Sequence, residues 1–131
     1  MLAVPKVLLI VGDANEQAQL QKVLGPHAEL TWVRDSQEAT QRLDQVSYDA
    51  IFYARTCAKD GWRKMVDDVR RINSNLPVII LSEKASVVEC AEALTAGAFD
   101  LLGIPYEQQL VPVMIQAVLS YEARVRCSRA G

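Results

Sequence analysis

Lys6-Val7-Leu8-Leu9-Ile10-Val11-Gly12-Asp13 holds an unbroken apolar run, Val7 to Val11, closed by a glycine and an acid. A run this short and this continuous reads as a strand covered on both faces, the situation of a central strand in a parallel sheet. Outward from it the same alternation recurs. Ala18, Leu20, Val23 and Leu24 lie at helical spacing between Asn15 and Leu24, and Gly25-Pro26 stops that helix. Leu30-Thr31-Trp32-Val33 reads as a second strand, and Asp35 with Glu38 three positions on is a capping-box pattern opening a helix to about Val46. Asp49 to Ala54 is a third strand, Arg55 to Asp60 a loop and Gly61 to Asn73 a third helix. Leu76 to Ser82 is a fourth strand, and Ser86 with Glu89 repeats the capping logic for a helix ending at Gly97. Phe99 to Gly103 is a short fifth strand before a long last helix, Glu107 to about Arg126. The expected fold is α/β: a (βα)5, doubly wound, five-stranded parallel sheet.

A chain of 131 residues, half of them hydrophobic and 23% charged, suits one domain with one sheet and no second core. The expected division is a domain over residues 1–124 and the start of a linker or C-terminal tail over 125–131. No apolar run approaches the ~20 residues of a membrane-spanning helix, and Met1 to Pro5 lacks the basic start of a signal peptide. The expectation is a cytoplasmic protein without membrane contact. The three cysteines, Cys57, Cys90 and Cys127, are widely spaced with no CxxC pair, so they read as reduced thiols rather than a disulfide framework or a zinc site. A net charge of −2 provides no general attraction to nucleic acid, and no direct nucleic-acid contact is expected.

In an open parallel sheet, ligands sit beyond the carboxyl ends of the strands, here just after Val11, Ala54, Leu81 and Gly103. Gly12-Asp13-Ala14-Asn15 has one glycine where a nucleotide-phosphate cradle needs several close backbone approaches. Asp13 either helps hold a cation or caps the first helix, and the capping role is the favoured reading. Ser82 either binds an anion or bonds local backbone, again with the structural role favoured. Arg55 and Lys84 are solvated loop residues or internal cations paired with Asp13; His27 is a loop histidine, and Cys57 a spectator thiol.

The segments Leu8 to Asp13, Tyr48 to Ala54, Asp60-Gly61, Leu76 to Ser82, Ala96-Gly97-Ala98 and Ile104-Pro105 together resemble the receiver domain of bacterial two-component response regulators, over residues 6 to about 124. The resemblance implies the flavodoxin-like receiver fold. It also implies where phosphoryl chemistry would sit, and there the sequence departs from the pattern. Ala54 stands at the phosphoacceptor aspartate, Gly12 at the first of two acidic positions that help hold Mg²⁺, and Ile104 at the lysine before the fifth-strand proline. Asp13 and Ser82 match, Leu101 replaces the aromatic switch residue, and the loop after Ala54 is one residue short and lacks its proline, with Ala58 nearby. An alanine has no lone pair with which to attack phosphorus, one carboxylate is a poor magnesium site, and Ile104 points to an apolar or closed pocket.

The reading that follows is a degenerate, non-phosphorylatable pseudo-receiver: not an enzyme, without cofactor or metal, acting through protein contacts. The resemblance places the signalling face between Ser86 and Tyr121. There Val88 and Val113 fall off the best inward stripes and, with Leu101, form the expected partner face, either in a homodimer or against an output domain of the same protein. The favoured setting is the N-terminal domain of a bacterial transcription regulator, with Tyr121 to Arg126 leading into a connector. A free-standing adaptor or scaffold and a small-ligand sensor of the cyclic-dinucleotide type are the alternatives.

Overall fold

Apart from Lys6 at the start of the first strand, every side chain of three adjacent strands is withdrawn from water, and that fact organises the molecule. The computed structural model describes residues 4–54, 61–83 and 86–130. The strands are β1 (Lys6–Ile10), β2 (Glu29–Val33), β3 (Ala50–Ala54), β4 (Val78–Ser82) and β5 (Asp100–Gly103). All pair in parallel, in the order β2-β1-β3-β4-β5. Between and after them run α1 (Ala14–Leu24), α2 (Ser36–Gln45), α3 (Gly61–Ile72), α4 (Val87–Ala96) and α5 (Glu107–Ala130).

Because strand side chains alternate between faces, each strand feeds two cores. Val7, Leu9, Phe52 and Ile79 join Leu20 and Leu24 of α1 and Leu110, Met114 and Ala117 of α5. Leu8, Ile10, Ile51 and Ile80 join Ala39 of α2, Met65, Val66 and Val69 of α3 and Ala93 of α4. Burying each such side chain contributes roughly 1.5–3 kcal/mol, which is why Ser82, at the end of β4, is the one buried polar residue among the described residues.

Local signals set the helix ends. Asp35 accepts from the Glu38 amide at 2.9 Å, Ser86 from the Glu89 amide at 3.0 Å and Asp13 from the Asn15 amide at 3.1 Å, each satisfying a donor that the first helical turn leaves open. Gly97 ends α4 at φ 110°, where a side chain would be strained and a Cβ would run into the Arg70 side chain. In β5, the Asp100 carboxylate takes the Leu101 amide at 2.8 Å. α5 stays helical across residues 124 and 125, through the expected start of the linker. Tyr121 is tied back to the body by Asn73, whose side-chain amide donates to the phenol at 3.0 Å.

Three sequence expectations are corrected here. Val113 is only 9% exposed and belongs to the core, because Leu110, Val113, Met114 and Ala117 form one i, i+3, i+4, i+7 stripe facing the sheet. Leu101 is buried too: even at the sheet edge, Leu101 and Leu102 alternate into opposite cores. Ile104 closes no pocket; it is 60% exposed, since β5 ends at Gly103 and the chain turns away. A charge at Val113 would therefore strike folding rather than a surface. Val113→Glu should cost roughly 3 kcal/mol or more, and Val88→Glu no more than about 0.5 kcal/mol. Denaturant titration of both variants checks the contrast.

Candidate functional site

The winding of the sheet reverses between β1 and β3, because β2 lies to one side of β1 and β4 and β5 lie beyond β3. The crevice of a doubly wound sheet opens at that reversal, beyond the carboxyl ends of the strands. β1 reaches it through Val11, whose amide donates to Val33 O at 3.0 Å and whose carbonyl accepts from Trp32 Nε1 at 2.8 Å. Gly12 and Asp13 follow, both exposed. The Asp13 carboxylate is engaged as the α1 cap and its backbone carbonyl accepts from Gln17, so its structural role is the one observed.

Ala54 closes β3 opposite Leu81, and its methyl group is wholly buried among Val11, Leu81 and the rest of the core on that face. Ser82 closes β4 opposite Gly103 and is 1% exposed. Its hydroxyl donates to Glu89 Oε1 of α4 at 2.9 Å, a side-chain partner where the sequence suggested local backbone. These residues do not suit a magnesium ion. Ala54 supplies no oxygen from its side chain and Asp13 serves the helix cap. Among the described residues, moreover, no three of His, Cys, Asp and Glu converge on one point. Arg55, Cys57, Ala58 and Lys84 lie outside the described residues. His27 is an exposed loop residue whose amide donates to Leu24 O at 2.9 Å.

Two further groupings had no signal in the sequence, because each joins elements far apart in the chain. At the start of α5, the buried Tyr106 phenol is hydrogen-bonded to Glu16 of α1, and Gln19 of α1 donates to Glu107. Between α3 and α4 lies an open groove of about 570 Å³ lined by Arg63, Asp67, Val87, Val88, Ala91 and Glu92. Arg63 bridges the groove to Glu92 at 2.6 Å, with its guanidinium 5.3 Å from the Trp62 ring. Both partners of that bridge are solvated, so it contributes little to stability.

Solved structures carry the same arrangement. The signal receiver domain of an HD domain-containing protein from Pseudomonas fluorescens Pf-5 superposes with a TM-score of 0.84 at 20% identity, covering 96% of each chain. This is the flavodoxin-like receiver fold. The receiver domain of the Francisella response regulator 1452 matches at 0.77 and 25% identity, over 92% of this chain and 98% of its own. NtrX from Brucella abortus, in complex with ATP, matches at 0.85 and 15% identity; its match spans 96% of this chain but 29% of NtrX, whose receiver-like part is one piece of a longer protein. No protein-family model matches the chain, and no curated protein matches it in sequence. Among the described residues, no helix is long and apolar enough to cross a membrane.

One titratable group in this receiver fold stands out. Burial, and then the charge and hydrogen bond of Glu16, hold the Tyr106 phenol well above its ordinary value near 10.0. Above pH 10 the unfolded phenol releases its proton while the folded one keeps it, so stability falls as pH rises through that window. Chemical denaturation across pH 9 to 12 should show this fall. Tyr106→Phe should reduce it, and Glu16→Gln should reduce it less, since burial remains.

Proposed function

We propose that this chain is a receiver-fold domain that has given up phosphoryl transfer and works as a protein-interaction module in the cytoplasm. One observation carries the reading: most of the large apolar side chains that remain exposed belong to α4, α5 and the β5–α5 connection. Among the described residues nine are exposed, and six of them, Val87, Val88, Leu94, Ile104, Ile115 and Leu119, lie on α4, on α5 or between β5 and α5. Val87 and Val88 are 86% and 67% exposed. Val87 and Val88, at the start of α4, centre the proposed face; α5 covers the opposite side of the sheet. Apolar groups concentrated at such a face are the usual core of a contact between proteins.

The chemistry of the strand ends supports the other half. A phosphoryl acceptor needs a lone pair at the end of β3, and Ala54 has only a buried methyl. Neither enzymatic activity nor a cofactor enters the reading. The occupant of the face is a second copy of the chain, as in the N-terminal regulatory domain of a transcription regulator. What supports this setting is that the signal receiver domain of a protein described as a Luxo repressor, from Vibrio parahaemolyticus, matches at 0.85, and that the match to NtrX spans 29% of that chain.

In a two-fold dimer a substitution is present on both sides of the contact. Val88→Glu should therefore weaken self-association at least tenfold, read by sedimentation velocity over a concentration series, while the thermal melt stays close to the parent. A parent chain that is monomeric throughout, or a variant that associates like the parent, would reject the reading. Incubation with a small-molecule phosphodonor and Mg²⁺ should leave the intact mass unchanged; an acid-labile phosphoryl adduct would contradict it.

A further inference from the structure

Ser86-x-x-Glu89 is a helix-opening pattern, and Ser86 does cap the Glu89 amide. The carboxylate of Glu89 has a partner of its own. It lies at the third position of α4, directly after Val87 and Val88, and accepts the Ser82 hydroxyl at 2.9 Å. Ser82 itself cannot move: it closes a fully buried strand, in register with Gly103 of β5. A hydroxyl has one proton to donate, and here it is committed to α4. The helix needs such a fastening. Among its described residues Ala93 alone is fully buried, and Ser86, Val87 and Val88 are exposed, so apolar packing holds its first turn weakly.

We propose that the Ser82–Glu89 hydrogen bond is a strap that ties the first turn of α4 to the end of β4 and so fixes the orientation in which Val87 and Val88 meet a partner. This rests on the reading of those valines as a docking surface. Presentation of the pair is thereby internal to the chain, and Glu89 is a positioning residue that touches no partner itself.

Hydrogen exchange on the full chain tests the strap without requiring a partner. Ser82→Ala and Glu89→Ala should each speed exchange of the Glu89 and Cys90 amides about tenfold, as loss of a hydrogen bond to a charged group implies, while the Leu9 amide in β1 keeps its protection. The double variant should be no faster than either single one, because both remove the same bond. Glu89→Gln, which keeps an acceptor oxygen, should exchange more slowly than Glu89→Ala. Unchanged exchange in either single variant, or additive effects in the double, would overturn the strap. Sedimentation of the same variants separates the two claims. If Val88→Glu leaves association unaltered, the docking surface fails whatever the exchange shows. If Val88→Glu weakens association and Glu89→Ala does not, the surface stands and its positioning by Glu89 is overturned.

Discussion

β1, β3 and β4 leave no face for water, and a sheet in that condition folds only if helices cover both sides at once. The sequence of events along the chain answers this demand: one helix follows each strand, with α1 and α5 on one face and α2, α3 and α4 on the other. The cost of meeting it is that almost every strand residue is committed to packing. In β1, β3 and β4 the polar residues fall at the strand termini and just beyond, and at the carboxyl ends these are Asp13 and Ser82, beside the exposed Gly12.

Among the described residues at those ends, the polar groups bond one another. Asp13 holds the α1 amides, Ser82 holds Glu89, and Tyr106 with Glu16 closes α1 against the start of α5. A binding pocket for a charged small molecule needs polar groups converging on an empty space, whereas these converge on one another. The exposed apolar side chains of α4 and α5 remain uncommitted, which is why the functional reading rests on them.

Much of this was legible in the amino-acid order. Strands covered on both sides announce themselves as unbroken apolar runs, and Asp35-Glu38, Ser86-Glu89 and Gly97 mark helix ends by rules that act within one turn. The identities at Ala54, Gly12 and Ile104 were equally plain. What escaped was tertiary. Val113 was misplaced because a helix with several apolar stripes does not reveal which one meets the sheet, and Ile104 because its exposure depends on where β5 stops. Glu89 was legible as a capping partner, but its bond to Ser82 depends on how α4 lies against β4, and nothing local to either residue specifies that angle.

β5 is one edge of the sheet, and α4, with the exposed Val87 and Val88, packs beside it. Open edges invite foreign strands, but this one is four residues long, ends at Gly103 with Pro105 two residues on, and has the Leu101 amide taken by its own neighbour Asp100. Little backbone is left to extend the sheet into another molecule. Recognition at this corner is therefore confined to side chains, where shape and sequence discriminate, and the indiscriminate pairing that backbone offers to any extended peptide is withheld.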